Sequence, residues 1–432
     1  MSTRRILLLA STTGYQTREF EDASRRLGIR LQYATDRCHV LDDPWRDAAI
    51  PVRFDRPQAA AEAIARSAAR LPIDGVLAVG DAPTVAAAHA AQVLGLPFHS
   101  PEGAWAAHDK LTARRRFMGA GLPVPVFLSV PRTADAGALV DSREFAAVGF
   151  PCVLKPIGLS ASRGVIRADD RTSFIAAFAR IRELLEWLPP DQAGGAETIL
   201  IEEFIPGREF AVEGVMTHGR LRVLAIFDKP DPLDGPYFEE TIYVTPPELS
   251  EEEIEAVSRV VADGASAMGL GHGSIHAECR VNARGVYLLE IAGRPIGGLC
   301  ARALQFWQNQ PMEVESLEAI LLRHALGEPT TQWRREPVAS GVMMIPVPRR
   351  GVLRGVAGLE RARATRHVTD VIVSARTDQV LMPWPEGASY LGFIFARARE
   401  IQEVVDALKT AHSYLECTIE PQLRVVQSTH HG

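Results

Sequence analysis

No stretch of the 432-residue chain approaches the roughly 20 apolar residues that a membrane-spanning helix needs, so membrane embedding is not expected. Cysteine is sparse. Cys38, Cys152, Cys279, Cys300 and Cys417 are scattered without paired metal spacing, which argues against a disulfide framework or a zinc site and fits reduced thiols in the cytoplasm. An excess of one charge is missing too: 47 Lys and Arg against 53 Asp and Glu give a formal net charge of −6, with the signs mixed along the chain. Such a surface does not neutralise a phosphate backbone, and no nucleic-acid partner is expected. Internal repeats and low-complexity segments are absent. The apolar run Ile6-Leu7-Leu8-Leu9 ends at Ser11-Thr12-Thr13-Gly14 before it resembles a signal h-region, and reads as a buried strand.

What is present is a chain long enough for two or three domains. Its first hundred residues alternate strand and amphipathic helix: strands over 6–10, 30–34 and 74–79, helices over 17–27, 57–70 and 83–94, with Gly28 and Gly95 as helix stops. That pattern predicts a doubly wound parallel α/β domain over 1–100. Ser11 to Gly14 follows the first strand, where such folds bind ligands, but lacks the G-x-G-x-x-G spacing. A helix over 101–120 is broken by Gly121-Leu122-Pro123-Val124-Pro125. Strands over 151–156 and 198–204, a helix over 171–188 and a surface loop over 189–196 predict a compact α+β unit at about 122–200. Residues 210–291 are β-rich around a helix over 250–268, whose Ser250 and Glu253 fit a capping box. A long helix is expected over 301–326. Beyond it, strands over 341–346, 371–375 and 387–396 lead to a helix over 400–411.

The strongest chemical signal lies between Ala277 and Glu290. Two alternating strands flank a turn ending in Gly285, which fits a three-residue hairpin with that glycine in the left-handed position. Asn282 then pairs with Val286, and counting outward sets Glu278 opposite Glu290 on one face. Two carboxylates that close repel unless a cation lies between them, and rigid oxygen ligands suit magnesium. A solvated acidic pair answered by Arg280 or Arg294 is the alternative, and a two-residue turn would send the acids to opposite faces. Downstream, Gly293-Arg294-Pro295-Ile296-Gly297-Gly298 adds a planar cation suited to a phosphoryl group or a carboxylate.

Two further blocks lie upstream. A strand delivers Lys155 ahead of Gly158-Leu159-Ser160-Ala161-Ser162-Arg163-Gly164, a turn able to fold over phosphates. Ile199 to Phe210 is an apolar strand ending in Glu202, Glu203 and Ile205, with Glu209 after a glycine turn, a suitable edge for adenine and ribose.

In order and spacing these blocks resemble the nucleotide site of the ATP-grasp superfamily, over Lys110 to Gly298. The resemblance implies a nucleotide lid at about 122–200, an ATP-grasp domain over 101–335 and a small β-rich C-terminal domain over 336–432 that completes the central core. It also implies that Lys110 and Lys155 hold phosphates, that Gly158, Ser160, Ser162 and Gly164 belong to the loop over the triphosphate, and that Glu202, Glu203 and Ile205 form the adenine hinge. Glu209 is then the ribose acid, Glu278 and Glu290 hold magnesium (or manganese), and Arg294 steadies the reacting carboxylate and phosphate. Ala292 departs from the pattern, standing where many members have an asparagine metal ligand.

The segment from Glu290 to Gly298 and the run Tyr390 to Ala396 look most like the L-amino-acid ligases and other carboxylate-amine ligases. That likeness implies ATP-dependent amide formation through an acyl phosphate, with small-molecule carboxylate and amine substrates and a homodimer. Bicarbonate-activating carboxylases of the biotin or purine type are the first competitor, and a catalytically degenerate ATP-binding protein the second. Glu240 and Lys229 lie in a loop resembling the amino-acid substrate loop. His276 shares the face of Glu278 by strand parity, and Gly297 and Gly298 are expected to line the acyl pocket.

Overall fold

The computed structural model describes residues 4–11, 16–36, 49–188, 197–308 and 314–421. Cys38, the loop expected over 189–196 and most of the Ser11 to Gly14 turn lie outside these residues. The N-terminal unit is the expected parallel α/β layer, with strands in the order Ile50–Pro51, Arg30–Thr35, Arg5–Ala10, Gly75–Val79. All of Gly75–Val79 is buried, because a parallel strand covered on both faces tolerates no polar alternation. Helix Asp81–Leu94 starts directly after this strand, so Asp81 stands at the strand's carboxyl end.

The helix expected over 101–120 is two helices, Pro101–His108 and Lys110–Gly119. Asp109 breaks it by adopting an extended conformation and capping the second helix, its carboxylate accepting from Thr112 N–H at 2.7 Å. The break presents Lys110 at a helix start, where its own N–H donates to the Ile157 carbonyl.

The unit expected at about 122–200 contains an antiparallel sheet ordered Phe127–Pro131, Thr198–Glu203, Cys152–Pro156, Ile166–Ala168. Helix Arg171–Glu186 covers it, burying Phe174, Phe178 and Ile181 against Leu154, Ile199 and Ile201. Each such side chain contributes about 1.5–3 kcal/mol to the packing of this unit.

One antiparallel sheet carries the centre of the molecule. Its order is Gly285–Ala292, Gly273–Asn282, Arg208–Thr217, Arg220–Asp228, Ile242–Thr245, Ala339–Ile345, Gly392–Ala398, Val368–Val373. Strands from the tail thus continue the sheet that begins at the acidic hairpin. Helix Glu251–Met268, with the expected capping box at Ser250 and Glu253, packs Val257, Val261 and Ala265 beside Leu288 and Ile291 of the hairpin. The long helix expected over 301–326 is not formed. A 3-10 turn Cys300–Ala303, a short strand Phe306–Trp307 and a helix Leu317–Ala325 capped by Ser316 stand in its place. Pro311 lies inside the expected helix, and a proline there removes a backbone donor and disfavours an uninterrupted helix.

Between the N-terminal unit and the sheet lie three buried histidines, His99, His272 and His324. His324 stacks on His272 at 4.3 Å, the exposed His218 stands 5.5 Å from His272, and His99 donates to the Ser274 carbonyl. Burial pushes His99 down to about 4, despite the Ser274 hydrogen bond, and burial with His272 nearby pushes His324 to about 3. The unfolded chain takes up these protons near pH 6.5 while the folded chain refuses them until pH 3–4. The contribution of these two histidines should therefore be full above about pH 6.5 and fall towards pH 5, by up to about 1.4 kcal/mol per pH unit each, opposed over the same range by Glu239 and Glu240, whose buried carboxyls are raised to about 7. Urea unfolding of the wild type and His324→Gln at pH 7.5, 6 and 5 checks this: below pH 6.5 the stability difference should move in the variant's favour by up to about 1.4 kcal/mol per pH unit; a difference that does not vary with pH would contradict the assignment.

Candidate active site

The acidic hairpin reaches the expected pairing by another route. Its loop has two residues, Ala283 and Arg284, with Asn282 paired to Gly285 and Cys279 to Leu288. That register alone would turn Glu290 away. A β-bulge at Leu289 inserts the missing residue, and Glu278 pairs with Glu290 after all.

Arg114 holds the bulge open. Its guanidinium donates to the Leu288 carbonyl at 2.7 Å, the Leu289 carbonyl at 3.1 Å and the Glu202 carboxylate at 2.7 Å. Glu202 also pairs with Lys155. Burial alone would raise the Glu202 carboxyl, but Arg114 and Lys155 outweigh it and hold it down at about 2. Burial is likewise the main influence on Lys155 and lowers its ammonium, with Glu202 opposing. The Glu202 carboxylate, expected to read adenine, is thus shared between two cations inside the protein.

Lys110 Nζ lies 3.3 Å from Glu290 and donates to the Leu159 carbonyl at 2.6 Å, joining the second acid to the glycine-serine loop. That loop rests on the tail: Gly164 N–H donates to the Pro385 carbonyl, Arg163 to the Glu386 carbonyl and Trp384 to the Ala161 carbonyl. Ser160 and Ser162 face the cavity beneath it, whereas Gly158 and Gly164 shape the loop from outside the cavity wall.

On the other side, Lys229 Nζ is fully buried among Glu209 at 2.8 Å, Glu240 and Glu278 at 3.4 Å. These three acids offer oxygens within 4.8 Å of one another, and the Lys229 ammonium sits among them. Lys229 lies behind the cavity wall, so its expected contact with substrate is replaced by neutralisation of the acids. Glu209, expected at the ribose, accepts from Lys229 on one oxygen and from Arg280 on the other at 2.9 Å. Arg280 also takes the Ile205 carbonyl. Burial raises Glu240 to about 7 despite Lys229.

His276 bonds Glu213 through Nδ1 and faces Glu278 at 3.4 Å through Nε2. Burial would lower it, but Glu213 and Glu278 carry it to about 9, so the ring is a cation at neutral pH. Arg294 pairs with Asp81, Nε to Oδ1 at 2.7 Å. Glu203, Ile205, Glu240, Arg294, Gly297 and Gly298 join the acids and lysines around one cavity of about 380 Å³.

Pairing on adjacent strands sets Glu278 and Glu290 about 5 Å apart at Cβ. Both are partly open to the cavity, an oxygen-donor set that fits a hard divalent cation. Ala292 pairs with His276 and is buried, offering no ligand atom. Sequence reasoning missed Arg114, Asp81, Glu213 and the neutralising role of Arg280, whose partners lie 63 to 213 residues away along the chain.

Family models match over most of this architecture: an ATP-grasp N-terminal domain at 20–98, an ATP-grasp domain at 148–303 and an L-amino acid ligase C-terminal domain at 343–420. The chain belongs to the ATP-grasp superfamily. This ATP-grasp chain is 27% identical over 258 residues to the alanine–anticapsin ligase of Bacillus subtilis, covering 56% of itself and about half, 53%, of that ligase. The L-amino acid ligase from Bacillus licheniformis superposes with a TM-score of 0.80 at 24% identity, over 97% of this chain and all of that one. A carboxyaminoimidazole ribonucleotide synthase from Aspergillus clavatus, solved with ATP, superposes less closely, at 0.68 and 15% identity over 95% and 98% of the two chains. Among the described residues, no helix of the ATP-grasp chain is long and apolar enough to cross a membrane.

Glu202→Gln should leave Arg114 and Lys155 short of a buried counter-charge and cost about 3 kcal/mol in urea unfolding, with the preference for ATP over GTP unchanged. Unchanged stability with a lost preference would return that carboxylate to adenine recognition.

Proposed function

We propose that the chain is an ATP-dependent carboxylate-amine ligase that joins amino-acid-like substrates through an acyl phosphate. The observation that carries this reading is the convergence of Lys110, Lys155, Glu278, Glu290 and Arg294 on one cavity beneath a closed loop. A substrate carboxylate oxygen attacks the γ-phosphorus of ATP, the bond to ADP breaks, and an acyl phosphate forms. An amine then attacks the acyl carbon, phosphate leaves, and the nitrogen gives up a proton to yield the amide.

Lys110, Lys155 and the loop at 159–162 hold the phosphates, while the adenine lies against the 203–205 segment. Arg294 steadies the charge that builds between carboxylate and phosphoryl group. The loop, latched by the 384–386 segment, keeps water from the acyl phosphate. Glu278 and Glu290 would hold magnesium, which neutralises phosphate charge when bound. Expression in the cytoplasm belongs to the same proposal, supported by the buried free thiols of Cys152, Cys279 and Cys300.

The substrate end is walled by Tyr243, Met344, Tyr390 and Phe393, with Glu240 and His276 beside them. Such apolar walls exceed what bicarbonate would require, and the complete set of cations and acids gives no support to a degenerate protein. Gly297 faces open space, whereas Gly298 has φ +62° and a Cβ there would meet Phe393 at 3.0 Å.

Phosphate release from ATP and magnesium, measured against amino acids singly, in pairs and with bicarbonate, tests the reading. Release only with amino-acid combinations supports it; release with bicarbonate, or with nothing, overturns it. Glu290→Gln should lower that release by at least about 100-fold. Gly297→Trp should shift acceptance from bulky to small carboxylic substrates, and an unchanged preference would place the acyl side chain elsewhere.

A further inference from the structure

We infer that Asp81 of the N-terminal unit is a positioning residue that aims Arg294 at the reacting groups. The inference rests on the proposed role of Arg294.

Three contacts tie the 293–298 turn to the N-terminal unit and the segment that follows it. Asp81 takes Arg294 side-on, Nε to Oδ1 at 2.7 Å and Nη2 towards Oδ2 at 3.5 Å. Gln16, itself buried, donates to the Ile296 carbonyl. Gly293 packs so closely that a Cβ would meet His99 at 3.0 Å and Thr84 at 3.3 Å. On the opposite side Ile296 N–H donates to Glu213 at 3.1 Å. The turn is thus gripped from both faces.

The geometry of the pair leaves Arg294 usable. A side-on contact occupies one edge of the guanidinium, and the Pro295 carbonyl takes Nη1 at 3.1 Å. One N–H of Nη1 and one of Nη2 remain, and both Arg294 and Asp81 line the cavity. Asp81 suits this task because it opens helix Asp81–Leu94, whose N-terminal dipole favours a carboxylate. Burial alone would raise its carboxyl, yet Arg294 holds it at about 2, so it is an anion throughout the working pH range. A free arginine on a long side chain would sample many rotamers; this one has a fixed plane before substrate arrives.

The test uses the full chain with Asp81→Asn and Asp81→Glu, and two readouts. Hydrogen exchange followed by mass spectrometry should show faster uptake at 293–298 in Asp81→Asn, with uptake at 274–282 unchanged. Equal uptake at 293–298 would overturn the inference whether or not any activity is found. The second readout is phosphate release from ATP and magnesium with a mixture of the twenty proteinogenic L-amino acids.

Asp81→Asn should lower kcat by about 100-fold while the KM for ATP stays within about twofold. Asp81→Glu should recover part of the loss. Asp81→Asn combined with Arg294→Lys should be no slower than Arg294→Lys alone. A kcat unchanged by Asp81→Asn, or losses that multiply in the double variant, would overturn the inference. If the wild-type chain releases no phosphate with the mixture, the ligase reading fails, and the exchange result still decides the role of Asp81.

Discussion

Glu278 and Glu290 carry like charges on facing positions of neighbouring strands, and the rest of the site is arranged around their repulsion. At about 5 Å and an effective dielectric of about 20, that repulsion is on the order of 3 kcal/mol. The cations that answer it come from separate parts of the chain. Lys110 reaches Glu290 from a helix start, Lys229 approaches Glu278 from behind the cavity wall, and the His276 imidazolium flanks Glu278 on the same strand. Both acids also line the cavity, and under the proposed function the space between them would hold a hard cation.

The cavity is closed by parts distant in sequence. The loop that begins after Lys155 is latched by the tail at 384–386, and Ala388, Ser389 and Tyr390 of the same segment line the substrate end. Tyr390 packs on Trp384 with ring centres 4.7 Å apart. Lid position and substrate end therefore share one segment, and the strands of the tail extend the sheet that carries the acids. The tail is part of the framework around the cavity, although it contains none of the residues proposed to hold phosphates.

Local order was legible where periodicity and caps agree. Helix Thr17–Leu27 ends at Gly28 as expected, and Ser250 with Glu253 forms the capping box of helix Glu251–Met268. The facing of Glu278 and Glu290 was anticipated through a three-residue turn, whereas a shorter turn and a bulge at Leu289 produce it. A bulge has no local signature here: it is held by Arg114, whose other partner, Glu202, lies 88 residues away. The same distance effect hid the Asp81–Arg294 pair and the double neutralisation of Glu209. Candidate charges can be read from a sequence, but which of them cancel one another is decided by tertiary contact. The run after Cys300 misled for a different reason, since Pro311 within it disfavours the uninterrupted helix that its apolar residues suggest.

The central claim is that these groups transfer the γ-phosphoryl of ATP to a carboxylate. It is tested most directly by supplying amino-acid substrates with oxygen-18 in the carboxylate and analysing the phosphate released in the presence of ATP and magnesium. Attack by that carboxylate predicts phosphate carrying one oxygen-18 per turnover. Phosphate released during turnover without the label would contradict the account.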